Sequence, residues 1–269
     1  MGAPPGDRGR RGPAGQRLLP GGAVSAIRRL TTPGRPRARL VCFPHAGGSA
    51  NFFRPWADLV PMDTELWAVQ YPGRHDRIAA PCLDEMTAMV GDVLPGLEAA
   101  ERLPTVLFGH SMGAAIAYEC SRRLSETPRL LVLSGRGGPG RSMGEELADK
   151  SDADLVSALG ELGELDPALL EHPDLLDLVM PLLRADCRLS ESYLPDPDRP
   201  TDAPVLACVG DRDPLVSEDD ILAWEKSTTG SFTHCVYPGD HFYLREHAPA
   251  LIRAALEGCE TARSHTLRK

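Results

Sequence analysis

Ser111 is the residue whose surroundings most clearly predict chemistry. It stands at the centre of a Gly-x-Ser-x-Gly pattern, Gly109-His110-Ser111-Met112-Gly113. An apolar segment at residues 105–108 precedes this pattern, and a helix-forming segment begins at Gly113. Such a pattern places a serine on a sharp strand-to-helix turn, where the two glycines let strand and helix approach closely. The sequence therefore predicts a nucleophilic serine rather than one that only caps a helix.

A serine hydroxyl is a weak nucleophile and needs a base beside it, which is best supplied by a histidine late in the chain. His241 fits this role because it follows the apolar segment 233–237 in a Pro-Gly-Asp-His turn. His234 lies within the strand pattern and His247 within a helical one, so both are weaker candidates.

The acid that orients the base is expected between the serine and the histidine in the chain. Two aspartates, Asp211 and Asp213, stand in the turn Gly-Asp-Arg-Asp-Pro at residues 210–214. We prefer Asp213, which lies three residues past the glycine that ends the strand. Asp211 stays open as the alternative, and the aspartate that is not the acid is expected to stabilise the turn.

Acyl transfer also requires two backbone N–H groups that stabilise the developing oxyanion. One comes from the residue after the nucleophile, Met112, and the other from a loop after an early strand. The segment Phe-Pro-His-Ala-Gly-Gly-Ser at residues 43–49 fits this loop, with Ala46 as the second donor. It lacks the lysine of a phosphate-binding loop.

Six short apolar segments alternate with helical patterns, which is typical of a mostly parallel sheet flanked by helices. The predicted strands are residues 39–43, 65–70, 105–108, 130–133, 204–209 and 233–237, with a possible edge strand at 25–30. The predicted helices are residues 52–60, 83–100, 113–124, 217–226 and 248–257. Together with the motifs, this order predicts an α/β fold of the α/β-hydrolase type.

About seventy residues between the fourth and fifth predicted strands are too long for a simple βα connection. Two amphipathic stretches there, 154–162 and 175–189, predict a helical insertion over residues 142–200. We expect it to form a lid over the site, and a packed helical outgrowth is the alternative. The sequence thus predicts one hydrolase domain over residues 25–260.

Composition limits the classes of partner. The formal net charge of −9 argues against nucleic-acid binding, and no apolar run is long enough to span a membrane. Residues 1–24 and 261–269 have the composition of a disordered arm and a flexible tail. The seven cysteines form no Cys-x-x-Cys pair, so we expect reduced thiols and a cytoplasmic location. No His, Cys and carboxylate cluster has the spacing of a zinc site, so we expect no metal. We also expect a monomer without a cofactor.

Several motifs resemble those of type II thioesterases, which accompany modular polyketide and nonribosomal peptide synthases. Besides the segments around the serine, acid and histidine, they are Gln-Tyr-Pro-Gly-Arg at 70–74 and Met-Pro-Leu-Leu-Arg-Ala-Asp at 180–186, with Tyr193. The resemblance covers about residues 41–249. The Gln-Tyr-Pro-Gly-Arg segment is equally suited to a plain Pro-Gly turn.

The resemblance implies a triad of Ser111, Asp213 and His241, with Ala46 and Met112 as oxyanion donors. It also implies substrate-binding roles for residues near the nucleophile and in the insertion, namely His110, Met180, Arg184 and Tyr193. Arg184 and Asp186 are two apart on a predicted helix, so each needs its own partner, and anchoring of the lid is expected of them rather than catalysis.

The substrate that the resemblance implies is an acyl group on the phosphopantetheine arm of an acyl or peptidyl carrier protein. Carrier proteins are usually acidic, as is this chain, so docking should use a local basic or apolar patch near the lid, and Arg74, Arg77 and Arg184 are candidates for it. An off-loading thioesterase or a general carboxylesterase is the nearest alternative. An alternative from another functional class also stays open, namely a hydrolase fold that has lost its activity and serves as a binding module.

Overall fold

The computed structural model describes residues 25–141, 146–163, 173–196 and 198–257. The predicted N-terminal arm (1–24) and C-terminal tail (261–269) lie outside these residues.

A seven-stranded sheet forms the centre of the molecule. Its strands are β1 (Ile27–Arg29), β2 (Ala38–Phe43), β3 (Thr64–Val69), β4 (Thr105–His110), β5 (Leu130–Ser134), β6 (Val205–Gly210) and β7 (Phe232–Tyr237). The order across the sheet is β1-β3-β2-β4-β5-β6-β7. Only β1 pairs antiparallel, with β3, and every other neighbouring pair is parallel. The predicted mostly parallel α/β sheet is confirmed.

Helices cover both faces of the sheet. They are α1 (Met86–Glu98), α2 (Met112–Ser121), α3 (Asp152–Glu161), α4 (Pro173–Ser192), α5 (Glu218–Leu222) and α6 (Ala248–Glu257). Successive side chains of a strand point to opposite faces. Val41 and Phe43 therefore pack with α1 and α2 on one face, while Leu40 and Cys42 pack with α6 on the other.

Two helix predictions were wrong in type or length. Residues Ala50–Asp58 form a 3-10 helix rather than an α-helix, and Pro55 lies inside it. Proline has no N–H to donate, so a regular α-helical hydrogen bond is lost at this position. The predicted helix at 217–226 is divided into α5 and a 3-10 turn, Ala223–Ser227.

The insertion between β5 and β6 contains α3 and α4. It has its own apolar cluster, in which Leu155 and Leu159 of α3 meet Met180 and Leu183 of α4. The Ser151 side chain accepts a hydrogen bond from the Asp154 amide and so caps the start of α3. Among the described helices, none is long and apolar enough to cross a membrane.

Candidate active site

Ser111 lies at a strained turn between the end of β4 and the start of α2. Its backbone has φ 54° and ψ −121°, a conformation that non-glycine residues rarely adopt. The Ser111 amide donates to the Ser134 carbonyl over 2.8 Å, which fixes the turn to the end of β5. Strain of this kind persists only where the surroundings enforce it and is found mostly at functional sites.

The two glycines of the motif make this turn possible. A Cβ at Gly109 would overlap the Gly113 carbonyl oxygen, and a Cβ at Gly113 would overlap the Phe43 carbonyl oxygen. Side chains at either position would therefore push α2 away from β2 and β4. The close approach also brings the loop after β2 next to the serine.

Asp213 and His241 meet beyond the ends of β6 and β7. The Asp213 Oδ2 atom lies 2.8 Å from His241 Nδ1, and the two side chains are 0% and 1% exposed. The other carboxylate oxygen accepts from the amides of Leu215 and Val216 over 2.9 and 3.2 Å. Asp213 is thus held in one orientation by its own turn, and the turn aims it at the histidine.

The rival residues are used elsewhere. Asp211 accepts from the Gly239 amide over 2.8 Å and so stabilises the turn, as expected of the aspartate that is not the acid. His234 contacts Glu218, and His247 contacts the Pro238 carbonyl. Of the two candidate acids, Asp213 is therefore the one that contacts His241.

The remaining nitrogen of His241, Nε2, is buried and has no hydrogen-bond partner in the part of the chain that is described. The hydrogen bond from Ser111 Oγ that proton transfer requires is consequently not formed in this structure. Catalytic hydrogen bonds often become short only when the substrate is bound. The catalytic roles of Ser111, Asp213 and His241 stay predictions.

Two further histidines pack beside the triad candidates. The ring centroids of His110 and His241 are 4.9 Å apart, and those of His45 and His110 are 6.1 Å apart. Burial, aided by neighbouring cationic groups, lowers the pKa of His45 to about 3 and that of His110 well below its ordinary value. Both rings are therefore neutral near pH 7, and neither adds a fixed positive charge beside His241.

The loop of residues 43–49, which we call the oxyanion loop, lies against the start of α2. Ala46 is 8% exposed, and its amide donates to no group in the described segments of the chain. Met112 is the first residue of α2, where backbone N–H groups have no partner within the helix. Both predicted oxyanion donors thus have an N–H group without a partner among the described residues.

The four predicted substrate-binding residues are all engaged within the protein. His110 is buried, and its Nδ1 atom lies 2.9 Å from Ser134 Oγ. Met180 belongs to the apolar cluster of the insertion. Arg184 donates to the Ala148 carbonyl and contacts Asp152. The Tyr193 hydroxyl donates to Glu119 over 2.7 Å.

Each arginine suggested for docking is paired with an aspartate of the same chain. Arg74 is paired with Asp186, Arg77 with Asp92, and Arg184 with Asp152. Arg74 and Arg77 are also 5% and 8% exposed, so neither presents a free charge to a partner. The docking hypothesis is therefore wrong for Arg74 and Arg77, whereas it stays a prediction for Arg184, whose side chain is 23% exposed.

Arg136 and Gly135, which follow β5, were not singled out from the sequence. The guanidinium of Arg136 donates to the Ser190 hydroxyl and carbonyl, both over 2.9 Å, in the last turn of α4. Burial lowers the pKa of Arg136 to about 10. A cation is favourable at a helix C-terminus, so Arg136 fastens α4 to the sheet. The only sequence signal was the glycine-rich segment after a predicted strand.

The order of these elements and the turn around Ser111 can be compared with known proteins. A family model described as a thioesterase domain matches residues 38–257. The chain belongs to the thioesterase family. Members of this family are hydrolases that act on thioesters, so the predicted enzyme class is confirmed at the level of the family.

Relatives from two species of Streptomyces are similar to this thioesterase. The probable cadicidin biosynthesis thioesterase of Streptomyces griseus is 36% identical over 232 residues, which are 85% of this chain and 64% of that protein. The chain thus spans less than two thirds of the length of that relative. Thioesterase PikA5 of Streptomyces venezuelae is 36% identical over 82% of this chain and 80% of its own.

Among solved structures, the type II thioesterase BorB from the borrelidin biosynthetic cluster resembles this thioesterase with a TM-score of 0.79. The identity is 35%, and the match covers 86% of this chain and 96% of BorB. The predicted resemblance to type II thioesterases is thereby confirmed, as is the α/β-hydrolase fold. Within the described residues, no group of three or more His, Cys, Asp or Glu side chains is arranged to hold a metal ion.

Proposed function

We propose that this thioesterase hydrolyses acyl groups from the phosphopantetheine arm of carrier proteins, with Ser111, Asp213 and His241 as its catalytic triad. The contact of 2.8 Å between Asp213 Oδ2 and His241 Nδ1 is the observation that carries the proposal. Because Asp213 occupies Nδ1, the other nitrogen of His241 is the one available to accept a proton.

In the first step, His241 Nε2 takes the proton of Ser111 Oγ while Oγ attacks the thioester carbonyl carbon. The carbonyl oxygen becomes an oxyanion, which accepts hydrogen bonds from the amides of Ala46 and Met112. The carbon–sulfur bond then breaks, and His241 Nε2 returns the proton to the departing phosphopantetheine sulfur. An acyl ester of Ser111 and the free carrier thiol result.

In the second step, His241 takes a proton from a water molecule as that water attacks the acyl carbon. A second oxyanion forms in the same place and collapses. Its collapse breaks the bond to Ser111 Oγ, which regains the proton from His241. The product is a free acid, and neither step consumes a cofactor.

We infer from the relatives that the acyl groups are stalled or aberrant intermediates of polyketide or nonribosomal peptide synthesis, so that the enzyme has an editing role. BorB is a type II thioesterase from the borrelidin biosynthetic cluster, which supports this substrate class. Cys42, Cys82 and Cys120 are free thiols, which supports a reducing compartment such as the cytoplasm.

A panel of acylated carrier proteins tests the substrate class. Carriers bearing short, long and branched acyl groups are incubated with the enzyme, and the free acid is measured by mass spectrometry. We expect release by the wild type and none by Ser111→Ala. Near-zero turnover on every carrier, together with rapid hydrolysis of simple esters, would identify a general carboxylesterase instead.

Covalent labelling tests the nucleophile independently of the acyl group. A fluorophosphonate reacts with an activated serine, so the wild type should be labelled and Ser111→Ala should not. If the folded wild type remained unlabelled, the fold would be serving as a binding module.

A further inference from the structure

One buried ion pair connects the insertion to the oxyanion loop. Asp186 of α4 is 1% exposed, and both of its carboxylate oxygens are occupied. Oδ1 accepts from Arg74 Nη2 over 2.8 Å, and Oδ2 accepts from Arg74 Nη1 over 2.9 Å. Oδ2 also accepts from the Gly47 amide over 2.7 Å. A helix of the insertion therefore binds the residue next to Ala46 directly.

Arg74 holds the same loop from its other side. Its Nη1 atom donates to the Gly48 carbonyl over 2.7 Å, in addition to its bond with Asp186. The pair thus binds one N–H group and one carbonyl group on successive residues of the oxyanion loop. Since these residues follow Ala46 directly, the position of the Ala46 amide depends on where the pair lies.

Packing reinforces this dependence. Gly47 has φ 72°, and a Cβ there would lie 2.8 Å from the Leu183 side chain of α4. The loop therefore fits against α4 only because residue 47 is a glycine in the left-handed region. A buried ion pair is by itself weak evidence for stability, because desolvation offsets its attraction. Its bonds to the loop backbone suggest a role in positioning.

We propose that Arg74 and Asp186 are positioning residues that hold the Ala46 amide in place to stabilise the oxyanion, and that they couple this to the seating of α4. If α4 moves away, the Asp186 carboxylate leaves Gly47 and the loop loses its support. Full hydrolytic activity then requires the insertion to be seated. This inference rests on the proposed function, in which Ala46 is an oxyanion donor.

The chain offers a matched control for this pair. Arg77 and Asp92 form a second bidentate pair in the same region, with N–O distances of 2.7 and 2.6 Å. Arg77 also donates to the Gln70 carbonyl, and within the described part of the chain the side chains of Arg77 and Asp92 make no hydrogen bond to the oxyanion loop. Asp186→Asn and Asp92→Asn therefore make the same chemical change, one beside the loop and one away from it.

The test compares kcat and KM on a small acyl thioester that needs no carrier docking. For Asp186→Asn we expect kcat to fall about 100-fold with KM changed less than threefold, because a displaced donor acts mainly on the transition state. Asp92→Asn should change kcat less than threefold. If Asp186→Asn fails to fold, Arg74→Lys keeps the charge but loses the bidentate contact and should show the same selective loss of kcat.

Binding of a transition-state analogue separates positioning from general damage. A trifluoromethyl ketone adds to an active serine and forms an oxyanion, whereas the parent methyl ketone does so poorly. We expect the wild type and Asp92→Asn to prefer the fluorinated ketone strongly, and Asp186→Asn to lose about 100-fold of that preference. If Asp186→Asn kept the full preference, the inference would be overturned and the proposed function would stand. If the wild type had no preference, the oxyanion assignment itself would be overturned, and the inference with it.

Discussion

The carboxylate of Asp213 lies 2.8 Å from Nδ1 of His241, and both side chains are almost fully shielded from solvent. The aspartate is held by amides of its own turn, so the histidine ring is oriented by a rigid group. In the proposed mechanism, this aspartate fixes the ring tautomer and stabilises the imidazolium that forms during each step.

Asp213→Asn should therefore lower kcat by about 10⁴-fold, because an amide at this position favours the wrong tautomer of His241. Steady-state hydrolysis of a small thioester measures the loss. Asp211→Asn is the matched control, since an asparagine oxygen can still accept from the Gly239 amide, and its kcat should fall less than tenfold. Equal losses in the two variants would contradict the choice of Asp213 as the acid.

Gly135 controls the space around the two histidine rings. A Cβ at this position would lie 2.6 Å from His110 Cε1 and 3.2 Å from His241 Cε1. Gly135→Ala should displace the base and lower kcat about 10- to 100-fold, because small misplacements of catalytic groups are costly. Kinetics on a small thioester checks this.

Gly140→Ala separates the steric effect from backbone strain. Gly140 has φ 77°, close to the 61° of Gly135, but a Cβ there would meet nothing within 4 Å. Both variants should lose about 1–2 kcal/mol of unfolding free energy from the left-handed backbone, and only Gly135→Ala should lose activity. A comparable kcat loss in Gly140→Ala would mean that strain alone explains the effect.

Local patterns were sufficient to predict most of the sheet and the residues around the nucleophile. Buried strands appear as short apolar runs, and each candidate for the triad stands in a glycine-containing turn directly after such a run. Parallel strands bring these turns to one edge of the sheet. The positions of these turns after parallel strands therefore predicted the contact between Asp213 and His241.

Contacts across the tertiary structure could not be predicted in the same way. Arg74 and Asp186 are 112 residues apart in the chain, and helical spacing only indicated that Asp186 and Arg184 need different partners. The partners depend on how α4 lies on the sheet. For the same reason, the sequence did not show that Arg74 and Arg77 each form an ion pair with an aspartate, and we considered both as docking residues.

The buried neutral histidines predict how stability responds to acid. His45 has an ordinary pKa of 6.5 that burial lowers to about 3. Between these values the unfolded chain binds a proton that the folded protein does not, so the unfolding free energy decreases as the pH falls below 6.5. Each such histidine contributes a slope of at most about 1.4 kcal/mol per pH unit.

His45→Gln should reduce this slope, because the variant removes one of the titrating groups. Urea denaturation at a series of pH values between 7.5 and 4 measures it. Above pH 7 the histidine side chain is neutral in the unfolded chain as well. The unfolding free energies of the wild type and the variant should therefore change with pH in the same way there. An unchanged slope below pH 6 would mean that His45 is protonated in the folded state as readily as in the unfolded chain.

Among the four predicted substrate-binding residues, Tyr193 offers the clearest test of whether its role lies in substrate binding or in stability. Its hydroxyl donates to the buried Glu119 carboxylate over 2.7 Å, and the carboxylate also pairs with Arg122 and Arg123. Burial and the charge of Glu119 raise the pKa of Tyr193, so the hydroxyl stays protonated as the donor. These contacts place the hydroxyl among the charged groups at the end of α2.

Tyr193→Phe should therefore lower the unfolding free energy by about 1–3 kcal/mol, because a hydrogen bond to a charged group is lost. KM across a series of acyl chain lengths should stay within twofold of the wild type. Glu119→Gln provides the partner for a double-mutant cycle with Tyr193→Phe, and the two stability losses should be less than additive. A shift in chain-length preference without a loss of stability would instead assign Tyr193 to the acyl-binding surface, as the resemblance to type II thioesterases first implied.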